Sequence, residues 1–146
     1  MPINGNAMTA AACELCQPSG ESVLWQDELC RVILAGNADY PGFCRVVWHD
    51  HVQEMSDLNA IQQNRLMHIV FSVEAALRDA LKPDKINLAS LGNVVPHLHW
   101  HVIPRFAHDK HYPNPIWGEP RRDGKTSRDD YLIAGILKAA LAQRLS

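Results

Sequence analysis

The stretch VPHLHWHVIPRF, residues 95–106, carries three histidines at every second position of a run that is otherwise apolar. Side chains alternate between the two faces of a β-strand, so His97, His99 and His101 are predicted to share one face. The opposite face then carries large apolar side chains, those of Leu98, Trp100 and Val102. The pattern predicts a strand whose apolar face packs on the core and whose histidines face a cleft or solvent.

The composition indicates one small soluble domain. The chain has 146 residues, of which 47% are hydrophobic, enough to build a core without disulfides. Its net charge is −2 and its 14 lysines and arginines are scattered, so it lacks the basic patch of a nucleic-acid-binding protein. The N-terminal residues do not resemble a signal peptide and no run is long enough to span a membrane, so we expect a cytoplasmic protein with reduced cysteines.

Hydrophobic periodicity predicts an α+β protein. Asn59 and Gln62 form a capping-box pattern at the start of a long amphipathic helix that ends near Pro83. The last two strands are predicted to be joined by a tight segment at residues 91–93. The strands are predicted at residues 22–25, 29–35, 43–49, 86–90 and 99–104.

The C-terminal part of the chain, residues 107–146, divides into a loop and a helix. The Pro- and Gly-rich stretch AHDKHYPNPIWGEPRRDGKT resists both helix and strand, so it is either a flexible loop or a segment that folds over something. The helix is predicted to begin after Ser127 and to run to about Leu145. Asp129 and Asp130 lie in its first turn, where acidic side chains complement the helix dipole.

Three alternating histidines fit two kinds of chemistry. Three histidines and a water can form a catalytic zinc centre. On a regular strand, however, the Cβ atoms of His97 and His101 would lie roughly 13 Å apart, so the strand would have to bend for one ion to be shared. Alternatively, a neutral imidazole can attack phosphorus and split one hard displacement into two easier steps through a phosphohistidine-type intermediate.

The sequence HLHWHVIP, residues 97–104, resembles the His-x-His-x-His motif of the histidine triad (HIT) family of nucleotide hydrolases and transferases. The resemblance implies a HIT-like fold, with an antiparallel sheet of about five strands, one long packed helix and a C-terminal helix. It implies that His99 is the nucleophile on the α-phosphate, that His101 hydrogen-bonds phosphate oxygens near the leaving group, and that His97 is structural. It also implies a homodimer and a single HIT domain over residues 1–146.

Five further residues are candidates for contact with a phosphate or nucleoside. Gly92, Asn93 and Val94 form a turn before the triad, and its backbone N–H groups and amide side chain could stabilise developing phosphoryl charge. Asn87 resembles a family asparagine beside the site, although a solvated residue at a strand end gives the same pattern. Trp117 lies where a family tryptophan reaches towards the substrate, often across a dimer; the alternative is an aromatic side chain that anchors the tail.

Three departures from the family pattern stand out. Phe43, in PGF, replaces the histidine of the usual Pro-Gly-His, which supports the triad. Asn93 and Val94 stand where the family reads Gly-Gln-Ser/Thr, so the amide has a shorter reach and the hydroxyl is missing. Ala35 aligns with the acidic or amide residue used for ribose, although Asn37 could replace it after a shift of two residues. We therefore expect slow or redirected turnover of common family substrates.

The N-terminal segment, residues 1–20, contains a possible half of a zinc site. Cys13 and Cys16 have the Cys-x-x-Cys spacing, which needs two more ligands. Some bacterial-type HIT proteins resemble this chain in pairing such cysteines with a histidine after the third strand and with the first triad histidine, here His51 and His97. The resemblance implies a closed, structural Cys₂His₂ zinc that would orient the triad.

These features favour hydrolysis or transfer at the α-phosphate of a nucleotide or dinucleotide, of the nucleoside phosphoramidate or dinucleoside polyphosphate type, through a nucleotidyl-His99 intermediate. One alternative is a nucleotide-binding regulatory protein with little turnover. Another is a zinc-dependent hydrolase that uses the triad as ligands. The expected partner is a small-molecule nucleotide, with a possible structural zinc, no organic cofactor, and neither nucleic acid nor membrane.

Overall fold

The computed structural model of the protein describes residues 9–124 and 128–145, and within them five strands form one antiparallel sheet. The strand order is β1-β2-β3-β5-β4, with every neighbouring pair antiparallel. The strands are β1 Val23–Gln26, β2 Cys30–Leu34, β3 Cys44–Trp48, β4 Lys85–Ala89 and β5 His99–Arg105, and the α-helices are α1 Ala60–Leu81 and α2 Asp130–Arg144. The predicted α+β class and five-stranded sheet are confirmed.

Helix α1 begins and ends where its local sequence indicates. The Asn59 side chain accepts a hydrogen bond from the Gln62 N–H at 2.9 Å, and the Gln62 side chain accepts one from the Asn59 N–H at 2.9 Å, which is the predicted capping box. The helix ends at Leu81, because Lys82 takes a left-handed conformation with φ 52° and Pro83 follows.

Helix α2 is capped by Asp129, whose carboxylate accepts a hydrogen bond from the Tyr131 N–H at 2.8 Å. The carboxylate of Asp130 instead accepts one from the Gly42 N–H at 2.9 Å, which ties the start of α2 to the loop before β3. The helix therefore follows the predicted position, while Ser127 lies outside the described residues.

The two faces of the sheet have different coverings. Both helices pack on one face and bury the main hydrophobic core, which includes Leu98, Val102 and the partly buried Trp100, as predicted from their alternation. On the opposite face lie a short 3-10 turn, Ala10–Ala12, with the residues after it, and the loop that follows β5. The histidine side chains of β5 belong to this second face.

Two local predictions were wrong. The connection between β4 and β5 is not a tight turn at residues 91–93, because it extends over residues 90–98. Strand β5 starts at His99, as predicted, but His97 precedes the strand, so the predicted alternation of three histidines along one strand was wrong for His97. Among the described residues, no helix has the combination of length and apolarity needed to cross a membrane.

Candidate active site and metal centre

His99 is held in one tautomer by the main chain. Its Nδ1 lies 2.5 Å from the carbonyl oxygen of His97. A carbonyl oxygen only accepts hydrogen bonds, so Nδ1 carries the proton and donates it. The other ring nitrogen, Nε2, therefore keeps its lone pair.

His99 and His101 are more enclosed than the sequence indicates. Only 7% of His99 and 6% of His101 are exposed, so of the two predicted surroundings, a cleft or solvent, open solvent does not apply. Burial lowers the pKa of His99, and the nearby positive charge of Arg45 acts in the same direction. Burial, together with the positive charges of His99 and Arg45, lowers the pKa of His101 to about 4. Both rings are therefore neutral near pH 7.

His101 lies in an aromatic enclosure. The centroid of its ring is 4.9 Å from that of His99, 5.5 Å from that of Phe43 and 5.0 Å from that of Trp117. Trp117 reaches this ring within the same chain and is 52% exposed. The buried Nδ1 of His101 has no hydrogen-bond partner among the described residues. Phe43, which stands where the family has a histidine, cannot supply one.

His97 faces away from the other two histidines of the motif. Its Nε2 lies 2.5 Å from the carbonyl oxygen of Trp48, so Nε2 carries the proton and Nδ1 has a free lone pair. That Nδ1 lies 3.5 Å from the Sγ of Cys13, 3.3 Å from the Sγ of Cys16 and 3.2 Å from the Nδ1 of His51. His97 is fully buried and lies between this cluster and the strand that carries His99.

The four residues Cys13, Cys16, His51 and His97 could hold a metal ion, since their ligand atoms all lie within 4.8 Å of one another. With Zn–S bonds near 2.3 Å and Zn–N bonds near 2.0 Å, a tetrahedral zinc needs ligand atoms roughly 3.3–3.8 Å apart. The close pairs lie 3.2–3.5 Å apart, near the lower end of this range, so a small outward shift of the ligands would accommodate the ion. Within the described part of the chain, the three motif histidines do not form such a group with one another.

The turn before β5 is open to solvent. Gly92 has φ +72°, a conformation that side chains with a Cβ rarely adopt. Asn93 is exposed, and 85% of Val94 is exposed. The hydroxyl of Ser90 donates a hydrogen bond to the carbonyl oxygen of His99 at 2.9 Å, which joins the turn to the strand. The proposed contacts of this turn with phosphate remain a prediction.

The loop after β5 is folded over the sheet by an ion pair that sequence reasoning missed. Arg105 and Asp109 are 2% and 8% exposed and lie 2.8 Å apart. The Asp109 carboxylate also accepts hydrogen bonds from the N–H groups of Phe106, His111 and Tyr112. Of the two alternatives for this stretch, folding over the sheet therefore applies to the described residues, and it carries Trp117 to His101.

Asn87 is fixed by the same network. Its Oδ1 accepts a hydrogen bond from Arg105 Nη1 at 2.7 Å. The amide nitrogen has no partner among the described residues, and its contact with a substrate remains a prediction. Asn87 is half-buried on β4 and lies on the histidine face of the sheet, since it pairs with Ile103 two residues after His101.

Replacing Asp109 by asparagine is expected to lower the free energy of unfolding by about 3 kcal/mol near pH 7, because it leaves the buried Arg105 without its counter-charge. Burial alone would raise the pKa of Asp109, but the hydrogen bonds from Arg105 and the backbone outweigh it and hold the pKa well below its usual 3.8. The ionised form therefore stabilises the fold above about pH 4, and this stabilisation is lost as the pH falls further.

Urea denaturation at several pH values between 7 and 3 measures this effect, with Asp123→Asn, an exposed residue of the same loop, as the matched control. The difference between wild type and Asp109→Asn should shrink at the acidic end. A difference that is below 1 kcal/mol, or that does not change with pH, would contradict the assignment.

Arg45 is a second residue that sequence reasoning missed. It lies on β3 directly opposite His101 of β5, so both side chains are on the same face of the sheet. Arg45 also borders a cavity of about 840 Å³, which includes Ile33, Ala35 and Gly36 in its lining. Ala35 thus lies at a cavity wall, whereas the Oδ1 of Asn37 is used to accept a hydrogen bond from the Asp39 N–H at 3.0 Å.

Strand β5 of this α+β fold carries a neutral imidazole with a free lone pair, a type of group that can act as a nucleophile. The HIT domain model matches residues 18–108, more than half of the chain. The chain therefore belongs to the HIT family, and membership supports a nucleotide-binding or hydrolase-type function. A comparison with curated proteins finds no significant match.

Solved structures of bacterial HIT proteins share this fold. A histidine triad protein from Bradyrhizobium japonicum is 31% identical, with 86% of this chain and 91% of that chain covered and a TM-score of 0.69. One from Marinobacter aquaeolei VT8 is 29% identical, with 84% and 90% covered and a TM-score of 0.72. A zinc-bound histidine triad family protein from Mycobacterium smegmatis is 23% identical, with 92% and 96% covered and a TM-score of 0.69.

Proposed function

We propose that the protein hydrolyses or transfers a nucleotidyl group at the α-phosphate of a nucleotide or dinucleotide, with His99 as the nucleophile. The single observation that carries this proposal is the hydrogen bond from His99 Nδ1 to the His97 carbonyl oxygen, which keeps Nε2 unprotonated. Nucleoside phosphoramidates and dinucleoside polyphosphates are the proposed substrate types.

The reaction takes place in two displacements. In the first, the lone pair of His99 Nε2 forms a bond to the α-phosphorus while the bond from phosphorus to the leaving nitrogen or oxygen breaks. The leaving group takes up a proton from solvent, and the water that attacks in the second displacement returns one. In the second, water attacks the same phosphorus, the P–N bond breaks, and His99 is regenerated together with the nucleoside monophosphate. An alcohol or amine in place of water gives transfer instead of hydrolysis.

The remaining residues stabilise charge and hold the substrate. His101, neutral near pH 7, donates a hydrogen bond to a phosphate oxygen next to the leaving group. The turn at Gly92, Asn93 and Val94 contributes N–H donors and one amide, and the amide nitrogen of Asn87 contributes another. Trp117, in contact with His101, covers the reacting group and limits the access of water.

The test of this proposal is a turnover screen of nucleoside phosphoramidates, adenylylated amines and dinucleoside polyphosphates. Intact-protein mass spectrometry, applied during turnover, measures whether one nucleoside monophosphate becomes covalently attached. Release of nucleoside monophosphate together with such an adduct supports the proposal. The absence of turnover across the screen contradicts it.

A nucleotide-binding regulator with little turnover is the second candidate function. The observation in its favour is the buried Nδ1 of His101, which has no hydrogen-bond partner among the described residues and lies beside the ring of Phe43. Without a partner to orient it, His101 is a poorer donor to the leaving group. Nucleotide binding at micromolar concentrations, with no turnover above the background rate, would favour this second candidate.

We also propose a structural zinc at Cys13, Cys16, His51 and His97, supported by the fit of their ligand atoms to a tetrahedron and by the zinc-bound relative from Mycobacterium smegmatis. The zinc would tie the N-terminal segment to the sheet and orient the main chain next to His99. A zinc-dependent hydrolase that uses the triad as ligands has less support, because His97 faces this cluster and not His99.

Val94→Ser is expected to increase kcat on phosphoramidate substrates, because it supplies a hydroxyl donor where other HIT proteins place one beside the phosphate. One charge-assisted hydrogen bond contributes about 1.5–3 kcal/mol, so the increase should be at most about 100-fold. Val94→Ala removes the same methyl groups without adding a donor and serves as the control. Equal rates for the two variants would count against the alignment of this turn.

A homodimer and a cytoplasmic location complete the proposal. Strand β4 lies at one edge of the sheet, where its outer backbone groups could pair with a second copy. Phe71 of α1 is 53% exposed, which offers apolar area for a subunit contact. The reduced thiols required by the zinc site are maintained in the cytoplasm. Light scattering coupled to size exclusion measures the oligomeric state.

A further inference from the structure

We propose that Arg45 binds a second phosphate group of the nucleotide, adjacent to the phosphate that His99 attacks. The inference rests on the proposed function, because it names a feature of the substrate of that site. It predicts that the protein prefers nucleotides with two phosphates close together over nucleotides with one.

The position of Arg45 places its charge next to the reacting phosphate. Residues directly opposite on neighbouring antiparallel strands have Cα atoms about 5 Å apart, and Arg45 of β3 is opposite His101 of β5. Val47, the next residue of β3 on this face, is in turn opposite His99. Arg45 is therefore a neighbour of both catalytic candidates, on the side of the sheet that leads to β2.

Arg45 lacks a counter-charge among the residues that the structure describes. It is half-buried, and its Nε is buried without a hydrogen-bond partner among residues 9–124 and 128–145. Within the same residues its side chain forms no ion pair, and its recorded contact is with the ring of Phe43, 5.8 Å from the guanidinium carbon. A partly desolvated guanidinium without an acceptor is costly, and its planar fork matches the oxygens of a phosphate.

The acidic residues around the adjoining cavity do not neutralise Arg45. The Glu21 carboxylate is bound by Arg31 at 2.8 Å, and Asp130 accepts the hydrogen bond from the Gly42 N–H. Glu14 is exposed, and none of the ion pairs among the described residues joins it to Arg45. A ligand in the cavity of about 840 Å³ would therefore meet an available cation at the end nearest His101.

The second phosphate can come from two places in a nucleotide. It can be the next phosphate of a polyphosphate chain, or it can be a phosphate attached to the ribose. Both present anionic phosphate oxygens to Arg45. Asn87 lies on the other side of β5, on β4, and so does not compete for this group.

The experiment is isothermal titration calorimetry of wild type and Arg45→Leu with the monophosphates, 5′-diphosphates and 3′,5′-bisphosphates of adenosine and guanosine. We expect Arg45→Leu to weaken the binding of one of the two doubly phosphorylated series by about 10- to 100-fold more than that of the monophosphates. A selective loss for the diphosphates identifies the polyphosphate chain as the source, and one for the bisphosphates identifies the ribose.

Lys138→Gln is the matched control, because it removes one positive charge from the lining of the same cavity at an exposed position of α2. It should leave the preference for a second phosphate within about two-fold of wild type. Arg45→Lys should keep part of the affinity for doubly phosphorylated nucleotides that Arg45→Leu loses. The proposal would be overturned if Arg45→Leu lost the same affinity for all three series of nucleotides, or if Lys138→Gln lost as much affinity as Arg45→Leu. It would also be overturned if the wild type bound no nucleotide. The readout is equilibrium binding, so the role of Arg45 can be tested even if the protein has no turnover. A protein that binds nucleotides without turnover would contradict the proposed reaction only.

Discussion

Replacing His99 by alanine is expected to lower kcat by at least about 10⁴-fold and to eliminate the covalent nucleotidyl adduct. Main-chain carbonyls fix the tautomers of both His99 and His97, but the free nitrogen of His97 is turned to the cysteine cluster, which leaves His99 as the proposed nucleophile. Its removal leaves water to attack the phosphorus without a positioned nucleophile. Steady-state kinetics and intact-protein mass spectrometry on the best substrate of the screen measure both effects.

The matched control for this variant is His68→Ala, an exposed histidine of α1 that lies outside the candidate site. It should keep the wild-type rate and the adduct. Circular dichroism and nucleotide binding should be nearly unchanged in His99→Ala, because the main hydrophobic core lies on the opposite face of the sheet. Robust turnover in this protein, or an adduct mapped to another residue, would show that His99 is not the nucleophile.

Removal of one zinc ligand is expected to have the second largest effect. Cys16→Ala should reduce bound zinc from about one equivalent to well below one and lower the free energy of unfolding by on the order of 5 kcal/mol, because the binding energy of a structural zinc contributes to folding. A strong chelator should lower the melting temperature of the wild type in the same way. Metal analysis of protein prepared without chelators and thermal unfolding measure these effects.

Cys30→Ala separates the loss of metal from the loss of packing. Cys30 is fully buried in the core of the helical face and belongs to no metal-ligand group, so its replacement should cost stability with zinc retained. Full zinc content in Cys16→Ala would disprove the site. If instead the chelator abolished turnover immediately with no change in melting temperature, a catalytic metal would be indicated, against the structural role proposed here.

Much of the fold follows from short-range patterns. The capping box of Asn59 and Gln62 and the left-handed Lys82 before Pro83 define α1 through contacts between residues close in sequence. The alternation in residues 98–102 defines β5 and its apolar face, because the two-residue repeat of a strand is a property of the backbone itself. The connection over residues 90–98 was mispredicted, since no periodicity distinguishes a tight turn from a longer loop.

The candidate site depends more strongly on contacts between distant residues. The sequence predicted the triad from its alternating histidines. It predicted the zinc ligands through resemblance to relatives, and these are Cys13, Cys16, His51 and His97. It did not indicate Arg45, which is one charged residue in an apolar strand until the pairing of β3 with β5 brings it opposite His101. Alternation along a strand places each side chain on one of two faces, and only the register of β3 against β5 decides which face Arg45 occupies.

By itself, the sequence determined the strands, the helices, their caps and the presence of a histidine strand, because these depend on neighbours within a few residues. The tertiary structure alone decided that His97 turns to the cysteines while His99 stays beside His101. It also decided that the loop held by Arg105 and Asp109 brings Trp117 to the site. The physical reason is that burial, hydrogen bonding and charge act through space. They join residues that are far apart along the chain, as Cys16 and His97 are, and no local pattern encodes them.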